Sequence, residues 1–339
     1  MSKGLFTIRE KIWAYKHGFC AEGVKYLKIN SNNLDEFLSD TDFLKTEPND
    51  PITKRLIDGK LVIPFTIGGR FPEYLPQHYC YINEYSQVIP LEDNTVSEFS
   101  DIKDYIIKLT QTHSELAIKR FTGLHGINFY HLVRKDDIFY INDEAIDNLD
   151  SFVAKINDKF VVTEWVEQHE VLSQVWDKSV ATIRINVVNE CGKAHIFFPF
   201  IRFGTSKTGA VSNASAGGII VPIDLSTGNL LSGVYYYGYS QNGEYDVSTH
   251  PDSGVEFNTI TIPFFRETIK MVNDICSFIP VHTFWGFDIL LSKNGPKICE
   301  INSQPAIVCL QSVFGGLYKN CDKYICNYFA DRLHASKKK

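Results

Sequence analysis

The chain has 339 residues, 44% of them hydrophobic and 22% charged, enough apolar matter to bury a sizeable core shared by two or three lobes. A net charge of −6 excludes a surface that holds nucleic acid by general phosphate attraction, so any phosphate binding must be local. No stretch approaches the ~20 apolar residues of a membrane span. Arg9, Glu10, Lys11 and Lys16 break up the apolar positions of residues 1–19, unlike a signal peptide, so a soluble, cytoplasmic protein is expected.

Taken in chain order, Leu5, Ile8, Ile12 and Tyr15 recur at spacings of three and four beside a charged face, which predicts a helix. Its mixed Lys and Glu do not make a basic membrane-binding face, so a helix packed on its own domain is expected rather than one on a membrane surface. KLVIPF, HYCYIN and YSQVIPL then read as short strands parted by Gly, Pro and Asn, completing a first α/β lobe over residues 1–112. SEFSDIKDYIIKLTQTH is a helix candidate, followed by strand, glycine-bearing turn and strand in ELAIKRFTGLHGINFYHLV. DNLDSFVAKIND reads as helix and KFVVTEWV as a buried strand, giving a small β-rich subdomain over 113–175. From there to 335 strands dominate: ATIRINVV, AHIFFPFIRF, GGIIVPIDL and GVYYYGYS, then helix PFFRETIKMVNDICSF and hairpin FWGFDILLSKNGPKICEIN. The eight cysteines show no CxxC pair and are expected to be reduced, mostly buried thiols.

Three constellations carry chemistry. On the last hairpin, Glu300 and Asn302 share a face, and carboxylate and amide oxygens suit a magnesium ion. A two-residue Asn294-Gly295 loop would turn Asp288 away from them, whereas a three-residue loop over 293–295 pairs position 288 with 300 and makes the three converge; the longer loop is expected. Second, Lys119 precedes a turn with Gly123 and Gly126, where a fixed cation and accessible backbone amides suit phosphate. The order is not that of a Walker loop, and His125 reads as a turn residue. Third, Arg184 and Arg202 emerge from apolar strands and must meet an anion, either an internal carboxylate or a ligand. Asn213 precedes Ser215 and Gly217-Gly218. His250 in HPDSG is either a base near neutrality or a histidine that hydrogen-bonds its own loop, with the second expected. The tyrosines from 235 to 239 read as cover for a strand edge or core rather than as a carbohydrate platform.

Lysine before a glycine turn, an edge strand such as VVTEWV, an arginine, an asparagine-rich turn and a final D...ExN, in that order, resemble the ATP-grasp superfamily. More narrowly, YKHGF, SVATIRINVV, NASAGGIIVPIDLSTGNL, HPDSGVEF and WGFDILLSKNGPKICEIN resemble the sugar-transfer-associated ATP-grasp family over most of the chain. The resemblance implies an α+β or α/β chain with an N-terminal α/β lobe and a nucleotide held between two antiparallel sheets. The residues at 113–175 would be a lid and those at 176–335 the catalytic part. It implies ATP as cosubstrate with one or two Mg2+ ions, Mn2+ substituting. Lys119 and Lys60 would reach the α and β phosphates, Glu164 and Val166 would offer backbone groups to the base, and Glu170 would meet the ribose hydroxyls, with His169 a weaker candidate. Arg184 and Arg202 would steady the transferred phosphoryl group, Asn213 with the Gly217-Gly218 backbone would line the acceptor side, and Asp288, Glu300 and Asn302 would hold metal. Related ligases carry an arginine near the asparagine turn where this chain has Ser215 or Ala216. The activity implied is carboxylate–amine ligation through an acyl phosphate on small molecules, such as a sugar-linked or uronic acid in surface polysaccharide assembly. A phosphotransferase and a noncatalytic nucleotide-binding protein are the alternatives. No nucleic acid partner and no stable membrane insertion are expected, and the oligomeric state is left open.

Overall fold

The computed structural model describes residues 6–46, 51–55, 57–60, 62–91, 101–121, 128–235 and 246–337. Three helices open it, α1 (Ile8–Lys16), α2 (Ala21–Tyr26) and α3 (Asp40–Thr46), followed by the short α4 (Pro51–Arg55) and α5 (Ile63–Thr66). KLVIPF, expected as a strand, instead places its Ile63, Pro64 and Phe65 in α5. Pro64 stands in the first turn, where its fixed φ suits a helix, and Ile63 and Ile67, four apart, are buried together.

Seven strands make the smaller sheet: β1 (His78–Ile82), β2 (Val88–Pro90), β3 (Glu115–Arg120), β4 (Phe129–Lys135), β5 (Ile138–Ile141), β6 (Glu144–Ile146) and β7 (Phe160–Glu164). Their order is β2-β1-β7-β3-β4-β5-β6, antiparallel throughout. Helices α6 (Ile102–Thr112) and α7 (Leu149–Val153) cover one face. Asp101 caps α6 by accepting from the Lys103 and Asp104 amides, and Ile102, Tyr105 and Ile106 turn inward from its first turns.

After α8 (Glu170–Val175) the larger sheet begins with β8 (Thr182–Glu190), β9 (Lys193–Phe203), β10 (Ile219–Pro222), β11 (Gly233–Tyr235) and β12 (Asp246–Val247). Helix α9 (Phe265–Phe278) separates these from the hairpin β13 (Phe284–Ser292) and β14 (Gly295–Asn302), and α10 (Ile307–Phe314), α11 (Leu317–Asn320) and α12 (Lys323–Ser336) close the chain. The order is β12-β11-β10-β9-β8-β13-β14, again antiparallel.

Alternation along these strands positions the site. On β13, Trp285, Phe287, Ile289 and Leu291 face α9 together with Ile183, Ile185 and Val187 of β8. The opposite face is divided. At one end Phe284 and Val188 are covered by residues of α3, α10 and α12, with Phe43, Phe284 and Phe329 packed edge to face. At the other end Arg184 and Asp288 stand where apolar residues would otherwise continue, and the smaller sheet lies across from them. Residues 1–112 serve both layers. Strand β1 pairs with β7 in the smaller sheet, while the α3 region is tied to the larger one through Leu38, whose backbone exchanges two 2.9 Å hydrogen bonds with the Gln311 amide.

Candidate active site

A cavity of about 500 Å3 separates the two sheets, within the range of small-molecule sites. Its floor is a row across the larger sheet, where Arg184, Asp288 and Glu300 are direct neighbours on β8, β13 and β14. The pairing of 288 with 300 matches the expected register, but by a different route. The turn is only Lys293-Asn294, with Ser292 opposite Gly295 at φ +119°, and Ile289 pairs with Ile298. The missing residue is made up by a bulge at Cys299, which shifts the register by one before Glu300. Cys299, Glu300 and Asn302 all face the cavity as a result.

Asp288 is the most heavily bonded group in the floor. Arg184 donates to it through Nε and Nη2, both at 2.8 Å, Arg202 Nη2 donates at 2.7 Å and Asn302 Nδ2 at 3.2 Å. Burial alone would raise its pKa, but the two guanidiniums prevail and hold the carboxyl below its ordinary range. Glu300 is in the opposite state. Burial pushes its pKa up against the pull of Lys60, and no hydrogen bond or ion pair reaches its carboxylate from the described residues. Its oxygens are open to the cavity. A half-buried carboxylate with cations near it but no direct ion pair among the described residues, beside a second carboxylate and an amide, fits a hard divalent cation whose shell is completed by phosphates and water. Among the described residues no group of three or more His, Cys, Asp or Glu gathers for a metal; the donor set here is two acids and an amide.

The roof comes from the smaller sheet. Lys119, at the end of β3, brings Nζ to 3.8 Å from Cys299 Sγ, bridging the gap between the sheets, and Lys60 lines the cavity from the turn before α5. At the expected base edge, the Glu164 amide already donates to Gln77 O at 2.8 Å, and its carboxylate accepts from the Gln77 amide at 3.0 Å. Buried Val166 is different, since its amide and carbonyl have no hydrogen-bond partner among the described residues. Trp165 beside it is stacked on His131 at 3.5 Å, and that ring is held by Glu115 at 2.9 Å.

Asn213 lines the far end, where its side chain accepts from the Ser215 amide and caps the turn Ala214–Ala216. Gly217 and Gly218 hold that turn rather than line the cavity. Gly217 has φ +111°, and a Cβ on Gly218 would meet the carbonyls of Phe203, Ser212 and Asn213 at 2.8–3.0 Å.

Two candidate residues stand outside the cavity wall, His250 in the loop-bonding role expected of it. Glu170 is exposed in the first turn of α8, capped by His169, and is not part of the cavity wall. His250 is fully buried against Trp176. Its Nε2 donates to Gly204 O at 2.8 Å, and its Nδ1 accepts from the Asp252 and Ser253 amides, so the ring pins its own loop. Burial also lowers its pKa, which keeps it neutral. Gly123 and Gly126 lie outside the described residues. Conversely, Arg120, Phe129, Trp165, Cys299 and Gln304 line the cavity without having been singled out. Trp165 was legible as the aromatic inside VVTEWV; Cys299 was not, because nothing local marks a bulge.

Two antiparallel sheets enclosing a cation-bearing cleft, with an acid row on one and a strand lysine on the other, define the ATP-grasp class. The model of the sugar-transfer-associated ATP-grasp family matches residues 40–323, and the chain belongs to that family. No curated protein matches it in sequence. Among solved structures it is similar to L-amino acid ligase from Bacillus licheniformis, at 11% identity and TM-score 0.44 over 84% of this chain and 50% of that one. It is also similar to D-alanine–D-alanine ligase from Bacillus anthracis, at 13% identity and TM-score 0.39 over 84% and 69%. A third is N5-carboxyaminoimidazole ribonucleotide synthetase from Thermotoga maritima, at 10% identity and TM-score 0.39 over 76% and 44%. The chain thus aligns with half or less of the length of the first and third.

Proposed function

We propose that this protein is an ATP- and magnesium-dependent carboxylate–amine ligase that forms an amide through an acyl phosphate. Family membership supports the nucleotide, and the open Glu300 carboxylate facing Lys119 across the cleft is the observation that carries the reading. Glu300, Asn302 and Asp288 would hold Mg2+, which would offset negative charge on the phosphate oxygens. Lys119 and Lys60 supply fixed positive charge on the α and β phosphates. Val166 offers its unpartnered amide and carbonyl to the base edge, with Trp165 alongside. Arg184 and Arg202, held in place by Asp288, stand ready to stabilise the carboxylate and the phosphoryl oxygens. Attack by an amine on the acyl carbon then releases phosphate. No described side chain is needed as a covalent nucleophile, so the barrier falls by positioning and electrostatics. The sugar-transfer association in the family description is what favours a sugar-linked acid, such as a uronic acid, as the substrate class proposed.

The test is a coupled ADP-release screen over uronic and amino acids paired with amines, run beside Glu300→Ala. Release that needs both an acid and an amine, and is lost in the variant, is the expected result. Release needing only an alcohol acceptor would replace ligase by kinase, and nucleotide binding without turnover on any pair would leave a noncatalytic binder.

A further inference from the structure

Helix α1 packs the wrong way round for its sequence. Successive residues turn by about 100°, so Ile8, Ile12 and Tyr15 form one stripe and Trp13, Ala14 and His17 the opposite one. The stripe that meets the protein is the second. Ala14 is fully buried, Trp13 packs on the core beneath the larger sheet, and His17 Nδ1 is bonded to Trp13 O at 2.8 Å. The aliphatic stripe faces solvent, with Ile8 76%, Ile12 52% and Tyr15 87% exposed. The helix packs on its own domain as expected, but through the stripe opposite the aliphatic one.

What flanks the stripe matters as much. Lys11 lies along one edge and Lys16 and Arg9 along the other, all exposed. The acid of this helix, Glu10, is on the far side, engaged in a capping box with Thr7, whose amide it accepts at 2.7 Å. Residues 1–28 hold six Lys or Arg against two Glu, in a chain whose net charge is −6.

We infer that the exposed face of α1 is a docking surface for an anionic lipid bilayer, which the protein touches peripherally. An apolar strip with basic residues on both edges, and a tyrosine to sit at the headgroup level, lets the aliphatic side chains enter the interface while the lysines reach outward to phosphate. A second copy of the chain is a poor occupant, because a two-fold contact through this helix sets each basic edge against its own kind. One nine-residue helix also offers far less than the roughly 800 Å2 per partner of a stable protein interface. No helix among the described residues is long and apolar enough to cross a membrane, so contact stops at the surface.

The experiment is flotation of the full chain with vesicles of phosphatidylcholine alone or with about 30% phosphatidylglycerol, at low and high salt. The chain should float with the anionic vesicles at least about tenfold more than with neutral ones and be released by salt. Ile8→Ser/Ile12→Ser and, separately, Lys11→Glu/Lys16→Glu should each reduce binding at least about fivefold with the melting temperature unchanged, since all four side chains are exposed. Absence of flotation with anionic vesicles overturns the inference, as does binding that both variants retain. A concentration-dependent dimer that the serine variant dissolves would assign the face to a second copy instead.

Discussion

Asp288 and Glu300 face each other across β13 and β14, yet one is enclosed by two arginines and the other has no described partner. Neighbouring carboxylates in one cleft are thereby given different tasks. Asp288 orders the cationic side chains, and the Glu300 carboxylate stays open to the cavity.

Their substitutions should separate cleanly. Asp288→Asn removes the counterion of two mostly buried guanidiniums and is expected to lower stability by about 3–5 kcal/mol in urea unfolding. Glu300→Gln should leave stability unchanged or raise it, because burial already disfavours the charged carboxylate at neutral pH. Equal losses in the two variants would contradict this division.

Cys299 should report nucleotide binding. Its thiol lies in the cavity beside Lys119, whereas Cys20 and Cys191 are exposed. Iodoacetamide labelling followed by peptide mass spectrometry should show ATP with Mg2+ slowing modification of Cys299 by about tenfold or more while Cys20 and Cys191 react as before. Protection of all three alike would point to a global change rather than occupancy of the cleft.

His282 should make the protein acid-sensitive. It is fully buried, and burial lowers its pKa from 6.5 to about 4 against the opposing pull of a backbone hydrogen bond at Phe284. Between those values the unfolded chain takes up a proton that the folded ring does not, so stability falls as pH falls through this window and levels off below it. The full effect is on the order of 3 kcal/mol. Unfolding free energies from denaturant titrations at pH 7.5 and 4.5 should converge by about that amount in His282→Phe relative to the parent; identical pH slopes would remove His282 from the account.

Gly286 should resist even alanine. A Cβ there would lie 2.8 Å from Pro305 Cβ and 2.9 Å from its Cγ. Pro305 sits between Gln304 and Ala306, which line the cavity with it. Gly286→Ala is expected to lower stability by about 1–3 kcal/mol and to weaken ADP binding measured by calorimetry, through displacement of that loop.

Much of the architecture was legible because it is local. The period-two runs at Thr182–Glu190, Lys193–Phe203 and Phe284–Ser292 are strands as their alternation predicts, and the patterned stretch ending at Phe278 is the helix expected. KLVIPF misled because a proline in a short apolar run serves a helix's first turn as well as a strand end. The candidate site was legible as residue types in order, which placed Lys119, Arg184, Arg202, Asn213, Asp288, Glu300 and Asn302 on one cavity. Glu170 and His250 have the same chemical character but stand away from it, and nothing in their neighbours along the chain distinguishes them.

The sequence by itself determined which residues carry charge, which segments alternate and which family the order of motifs resembles, since these depend on neighbours along the chain. Only the tertiary structure decided that the register is corrected at Cys299 rather than in the turn, that two arginines bond Asp288 while no described residue forms an ion pair with Glu300, and that α1 shows its aliphatic face outward. Each of these rests on contacts between residues far apart in the chain, where packing and burial, not local propensity, set the free energy.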